Sequence, residues 1–432
     1  MDKTTIFWFR RDLRLEDNHG LYQALSQNQN IQPIFIFDEN ILKNLDKNDA
    51  RVSFIHQELE KINHRLKILG SSLLIFHGNP LDIYKELSEK IDINNVYSNK
   101  DYEPYGILRD QKISTFLKSK KINFYQYKDH VIFEEDEIVK DDGTPYKVYT
   151  PFSKKWLSTL YKENINSFPC ETHLQNLIKN KKNHFLSLQD IGFIKTNIKI
   201  PDFNISNNLI DNYEATRNFP NLNGTSKLGH HLRFGTISIR KTVKEAQKSA
   251  NITFLKELIW REFFMSILWH FPETITKAFK PKYDRIQWRN NKDEFEKWCL
   301  GETGFPLVDA GMRELNTTGF MHNRVRMLVG SFLCKHLLID WRWGEAYFAE
   351  KLLDFELSSN IGNWQWVAGC GVDAAPYFRI FNPTTQIQKF DKQLSYIKKW
   401  VPEFQELTYP TPIVDHKFAR KRCLETYKKA LN

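Results

Sequence analysis

IQPIFIF, residues Ile31–Phe37, carries apolar or aromatic side chains at nearly every position. A strand with one face in water alternates apolar and polar residues, whereas a run apolar throughout is buried on both faces, as in a parallel sheet covered by helices. The same pattern holds in TTIFWF (4–9), SSLLIFHG (71–78), NNVYS (94–98) and INFYQY (122–127), and helical spacing occupies 48–69, 80–90 and 105–119 between them. The alternation predicts a doubly wound α/β domain over residues 1–130, with its ligand crevice beyond the carboxyl ends of the strands.

After KDDGTPYKVYTPF (140–152) the periodicity weakens, and 165–208 is rich in Asn, Lys and Ser, so residues 131–205 are expected to form a connector. From 206 to 432 helical patterns dominate, in FLKELIWREFFMSILWHF (254–271), PLVDAGMRELNTTG (306–319), NRVRMLVGSFLCKHLLID (323–340) and GEAYFAEKLLD (344–354). The second domain is therefore expected to be all-α. Eight of the eleven tryptophans fall between Trp260 and Trp366, inside it.

At 432 residues the chain exceeds one comfortable core, which fits two domains. Its formal charge of +10 favours an anionic partner, nucleic acid first and an acidic membrane surface second. No apolar run reaches the roughly 18–20 residues of a membrane span, and the first residues lack a signal peptide's order, so a cytoplasmic protein is expected. Five widely spaced cysteines, with no CxxC and no His at zinc-ligand spacing, predict neither a disulfide framework nor a metal site.

Four patterns carry chemistry. Glu257, Trp260, Arg261 and Phe264 recur at i, i+3, i+4 and i+7, so one helix face shows a carboxylate, an indole and a guanidinium; this suits a stacked base-like ligand or, equally, a buried Trp with a surface ion pair. His322, Asn323, Arg324 and Arg326 cluster where a helix begins, a position suited to an anion or to ordinary solvated arginines. NLNGTSKLG (221–229) reads as a phosphate cradle or as plain turn chemistry. In NWQW (363–366), Trp364 and Trp366 lie about 200° apart around a helix, so one can face the interior while the other faces a cleft.

The motifs FWFRRDLRLEDN (7–18), NGTSKL (223–228), ELIWREF (257–263), FPLVDAGMRELNTTGFMHNRVRM (305–327), IDWRWGE (339–345), NWQWVAGCGVDAAPYFRIFNPTTQ (363–386) and KFD (389–391) resemble the photolyase and cryptochrome family, specifically class I cyclobutane-pyrimidine-dimer photolyases. The likeness implies FAD within the helical domain, held by Tyr213, Thr225, Ser226, Lys227, Leu228 and Gly229 on the adenine and phosphate side. Asp354, Phe355 and Glu356 would line the flavin ring, with Arg326 paired to Asp354 and Asn360 near flavin N5; the family more often has Asp where Glu356 stands. Trp288, Trp341 and Trp364 match the family's electron-transfer chain.

Trp260 and Trp366 match the indoles that sandwich a flipped-out dimer, Glu257 the carboxylate that bonds its base, and Asn323 and Met327 the rest of the pocket. At the last two positions (6-4) photolyases carry His, and DASH cryptochromes carry Gln for Met327. Arg217, Arg324 and Gln386 would contact DNA backbone, beside the Arg261 and Phe264 face. The implied activity is repair of ultraviolet-damaged DNA by electron transfer from excited FADH⁻ to the dimer, by a monomer; the alternative is a cryptochrome-like blue-light sensor without repair. Arg10, Asp38, Arg51 and Glu103 resemble an antenna site of the deazaflavin type rather than the methenyltetrahydrofolate type.

Overall fold

The computed structural model describes residues 3–179 and 185–432; Met1 and Asp2, read above for a leader, and 180–184 of the expected connector lie outside the described residues. Five strands form one parallel sheet in the order β3-β2-β1-β4-β5, with β1 at Thr4–Phe9, β2 at Ile31–Asp38, β3 at Leu74–Gly78, β4 at Ile93–Asn99 and β5 at Asn123–Tyr127. Every residue of β1 and β2 is buried. The strand period of two divides them between two cores: Phe7, Phe9, Phe35 and Phe37 enter one, and Ile6, Trp8, Ile34 and Ile36 the other. Each such side chain contributes about 1.5–3 kcal/mol on burial. Pro33 would normally argue against an interior strand, but the β2–β3 register starts at Ile34, so on that side its missing N–H falls outside the ladder.

The connecting helices are α1 (His19–Gln27), α2 (Ala50–Ile68), α3 (Pro80–Lys90) and α4 (Pro104–Ser119). Their starts are written locally. The side chains of Asn18, Asp49 and Asn79 accept hydrogen bonds from first-turn N–H groups, and Pro80 and Pro104 stand where an N–H has no helical partner.

The chain divides into two compact units. The first comprises Met1–Glu134, Ser158–Pro201 and Leu228–Glu245; the second comprises Glu135–Leu157, Asp202–Lys227 and Ala246–Asn432. Two pieces expected elsewhere, 158–201 from the connector and 228–245 from the helical domain, thus cluster with the sheet. Charge pairing accounts for part of this: Arg240 bonds Asp17 and Asp129, and Arg233 bonds Glu103, all within the first unit.

The second unit is helical. Its main helices are α5 (Thr253–His270), α6 (Pro306–Thr318), α7 (Asn323–Ser331), α8 (Trp341–Lys351), α9 (Leu357–Ala368), α10 (Pro383–Phe390) and α11 (His416–Leu431). They enclose a core of Trp298, Val325, Phe332, Trp341, Trp364 and their neighbours. Two glycines set the closest approaches. A Cβ on Gly344 would lie 2.1 Å from the Trp364 ring and one on Gly362 2.2 Å from Phe264, so α8 and α5 close on α9 only because those side chains are absent. Among the described residues no helix is long and apolar enough to cross a membrane, and no cluster of His, Cys, Asp or Glu could hold a metal. All five cysteines are free.

Candidate functional site

A cavity in the helical unit is lined by Asn323, Arg326 and Met327 of α7, by Asp354, Phe355 and Glu356 between α8 and α9, and by Asn360, Asn363, Trp364 and Trp366 of α9. α7 starts at His322, whose Nδ1 accepts from Arg324 N, so the first turn of that helix opens on the cavity. α9 ends at Gly369 in the left-handed region, φ 90°, with its N–H bonded back to Gln365 O and Trp366 O.

The charged groups of the lining are paired. Arg326 Nη2 reaches both oxygens of Asp354, at 2.9 and 3.2 Å, while its Nε donates to Met321 O at 2.6 Å. Glu356 is buried, accepting from Arg261 Nη2 at 3.3 Å and from Ser359 Oγ at 3.2 Å. On α5, Arg261 turns toward Glu356 and Phe264 packs at 5 % exposure. Asn360 gives both amide hydrogens to Glu345, at 3.0 Å to the backbone carbonyl and 2.8 Å to Oε1. An amide so held turns its carbonyl oxygen the other way, as an acceptor.

The cradle residues of this unit show groups awaiting a partner. Among the described residues, Thr225 Oγ1 and His322 Nε2 are buried without a hydrogen-bond partner. Lys227 sits at φ 54°, and its Nζ lies 3.4 Å from the centre of the Phe320 ring. Burial lowers its pKa to about 8, against the pull of Glu314 and with repulsion from Arg326. Burial likewise pushes His322 down to about 3, helped by Lys227, Arg326 and Arg324. An orphaned hydroxyl and a partly buried cation fit a phosphate-bearing ligand. Tyr213 packs edge-on against Phe254 with Arg217 over its ring, and Ser226 O accepts from Asn204 N. Leu228 and Gly229 fall in the first unit, where Leu228 is buried at the start of a short helix.

Of the expected lesion residues, Asn323, Met327 and Trp366 line the cavity. Glu257 and Trp260 are engaged otherwise. Glu257 forms an ion pair with Arg217, and Trp260 is stacked on Tyr149, ring centres 3.7 Å apart and planes within 6°. Arg324 donates to Asn218 Oδ1 and lies 4.4 Å over the Phe390 ring. Gln386 is half-buried on α10, a helix capped by Asn382. Trp364 and Trp341 are 3 % and 2 % exposed inside the core, while Trp288 is partly buried and packs against it.

Sequence reasoning missed Glu345, which orients Asn360, and Tyr149, which backs Trp260. Glu345 closes the quoted motif IDWRWGE and Tyr149 sits in KVYTPF, so both stood in stretches already singled out. In the first unit Arg10 bonds both oxygens of Asp110 at 2.6 Å, Glu103 pairs with Arg233 and Arg11, Asp38 accepts from Tyr105 Oη at 2.6 Å, and Arg51 pairs with Asp49 at 2.5 Å.

A family model described as the FAD binding domain of DNA photolyase matches residues 254–408, and one described as DNA photolyase matches 5–171. The deoxyribodipyrimidine photo-lyase of Alkalihalophilus pseudofirmus is 35 % identical, over 99 % of this chain and 98 % of that protein. A bacterial class III photolyase from Agrobacterium tumefaciens superposes with a TM-score of 0.89 at 32 % identity, covering 100 % of this chain and 98 % of the other. An archaeal photolyase from Sulfolobus tokodaii with two FAD molecules gives 0.84 at 33 % identity, covering 99 % of this chain and 100 % of that one.

Proposed function

The chain belongs to the DNA photolyase family, and from that premise we propose that it repairs cyclobutane pyrimidine dimers with light, using FAD bound in the helical unit. One observation carries the reading. A single cavity is lined by Asn323, Met327 and Trp366 and also by Asp354, Glu356 and Asn360, so an extruded dimer and an aromatic cofactor can meet within it. Reduced FAD would supply the electron that light sends to the dimer and that returns once the ring has opened. The cradle of Thr225, Ser226 and Lys227 would hold its phosphates, and the Arg326–Asp354 pair and the Asn360 carbonyl would face its ring.

The protein's own share is placement. Arg217, Arg324 and Gln386 take backbone phosphates, which makes docking salt-dependent and independent of sequence. Trp260, its plane fixed by Tyr149, and Trp366 offer flat faces to the extruded bases. Glu257 exchanges its bond to Arg217 for one to the dimer as Arg217 moves to phosphate. Trp364 and Trp341, both buried, and the partly buried Trp288 suit passage of electrons inward from the surface.

Asn323 and Met327 favour the cyclobutane dimer over the (6-4) product and carry the class I assignment. A deazaflavin-type antenna is the lesser part of the reading: the pigment would compete with Asp110 for Arg10, Arg233 for Glu103, Tyr105 for Asp38 and Asp49 for Arg51. A monomer is part of the same reading, on the family resemblance alone. The test is illumination of the reduced, FAD-loaded protein with oligothymidylate carrying either lesion. Cyclobutane dimers should revert to thymine and (6-4) products should not, with Glu257→Gln slowing the reversal. If the protein holds FAD and reverts neither lesion, the proposal falls and the alternative of a blue-light sensor without repair is left standing.

A further inference from the structure

The sheet unit holds a cavity of its own, of about 190 Å³ against about 100 Å³ for the one in the helical unit. Val131, Ile132 and Phe133, which follow β5, form an apolar wall with Leu160, and residues 163–166 of the expected connector form the rim. Arg10, Asp38, Arg51 and Glu103, the antenna residues read from the sequence, are not part of this lining. The repair reading makes no use of it either.

The connector is pinned where it closes the cavity. Phe168 N donates to Asp17 Oδ1 at 2.9 Å, and Lys244 Nζ donates to Ser167 Oγ at 2.6 Å. Phe168 then lies flat on His19, ring centres 3.9 Å apart and planes within 11°, and both rings line the cavity. His19 Nδ1 is 2.9 Å from Lys128 O and Nε2 is 3.4 Å from Gln23 Nε2, so both ring nitrogens already have protein partners. Burial lowers the His19 pKa and the charge of Arg240 adds to the effect, which leaves the ring neutral at neutral pH. What the pair offers an occupant is a flat, uncharged face.

Arg240 supplies the polar element. Its side chain is 7 % exposed, with Nε donating to Asp17 and Nη2 to Asp129 Oδ1 at 2.8 Å. Nη1 bonds nothing among the described residues and is not sealed from solvent, so its donors open on the cavity that Arg240 lines. A guanidinium donates and never accepts, so an occupant must bring an acceptor. Charge, by contrast, is already met: Asp17 and Asp129 answer Arg240 and Arg14, while Lys128 and Glu163 bring one charge of each sign to the lining. A carboxylate here would be desolvated beside two others, with no net positive charge left to hold it. An apolar cavity of about 150 Å³ accepts benzene, so this one admits a single substituted ring.

We propose that this cavity binds an uncharged aromatic ring carrying an amide carbonyl, with the ring against Leu160 and the His19–Phe168 pair and the carbonyl oxygen on Arg240 Nη1. The side-chain carbonyls of Asn164 and Asn166 on the rim are acceptors for the amide N–H. The proposal does not rest on the repair reading. Benzamide, benzoate and toluene present one ring with a neutral carbonyl, a charge and no acceptor, and each is titrated into the full, FAD-loaded chain and followed by its own NMR signals. Benzamide should bind with a Kd of about 1 mM or tighter, and benzoate and toluene at least about tenfold more weakly, the effect of one hydrogen bond to a charged donor. Ile165→Trp, which fills the rim from a half-buried position, should abolish benzamide binding without lowering the melting temperature. Arg240→Lys should bring benzamide down to the level of toluene.

Benzamide that fails to bind overturns the proposal. So does equal binding of all three probes, which would leave Arg240 no part, and so does a preference for benzoate. Benzamide binding that survives Ile165→Trp would belong to another cavity and overturns it as well. Should Arg240→Lys not fold, the comparison of benzamide with toluene decides the part of Arg240.

Discussion

One group of arginines in each unit behaves in the opposite way to the other. In the sheet unit the guanidiniums are matched by carboxylates of the same unit: Arg10 by Asp110, Arg14 by Asp129, Arg233 by Glu103, Arg240 by Asp17 and Asp129. In the helical unit Arg324, next in sequence to the cavity-lining Asn323, feels the charge of Arg217 and Arg379, and among the described residues neither Arg324 nor Arg379 has a carboxylate partner. The first arrangement holds a fold together. The second leaves charge unbalanced, which costs stability locally and is useful where a polyanion is to bind.

The sharpest way to break this contrast is to remove a carboxylate from the sheet unit. Asp129 is 2 % exposed and serves both Arg14 and Arg240; Asp129→Asn should cost about 3–5 kcal/mol, seen as a large fall in the melting temperature. Burial would raise the pKa of this carboxyl, but the two arginines outweigh it and hold it well below the usual range. Its folded-state pKa is thus depressed, so its contribution is present above the ordinary carboxyl value of about 3.9 and is lost as the solution is acidified below it. A melting temperature that Asp129→Asn leaves unchanged would undo the structural half of the contrast.

Lys227 gives the next largest effect. Its pKa near 8 in the ligand-free cradle must rise beside a diphosphate, so above that pH FAD binding takes up a proton. Affinity for FAD should be full below about pH 8 and fall by up to about tenfold per pH unit above it, as measured by equilibrium titration. Lys227→Arg, which keeps its charge throughout, should flatten the profile. A profile equally steep in both proteins would assign the proton to another group.

At Arg324 the expected effect on stability is smallest. Arg324→Gln should change it by no more than about 0.5 kcal/mol, since the substitution also relieves repulsion from Arg217 and Arg379. Binding of damaged DNA should weaken, and the slope of log affinity against log salt should fall by about one. A melting temperature that drops as far as in Asp129→Asn would show that Arg324 is structural after all.

Much of this was legible in sequence wherever the cause is local. The apolar runs at 4–9 and 31–37 specify strands buried on both faces, because in water such a run has nowhere else to put its side chains. Helix starts at Asp49 and Asn79 follow from side chains two residues from the N–H they cap, while the helix His19–Gln27 was not among the segments read. Pairings between distant segments were not legible. Helical spacing put Arg261 on a face with Glu257 and Trp260, but which side of that face met water depended on Glu356, 95 residues away. The stacking of Tyr149 on Trp260 and the bonds from Asn360 to Glu345 are long-range in the same sense, and no periodicity encodes them. The inclusion of 228–245 in the sheet unit follows from Arg233 and Arg240 finding partners there, which a run of helix-forming residues does not reveal.

The central claim is that an extruded dimer comes within electron-transfer reach of a flavin in the helical unit. The fluorescence lifetime of the reduced, FAD-loaded protein tests it most directly. Adding an oligonucleotide with one thymine dimer should shorten that lifetime, while the same oligonucleotide undamaged leaves it unchanged. A lifetime indifferent to the dimer at saturating DNA would contradict the account.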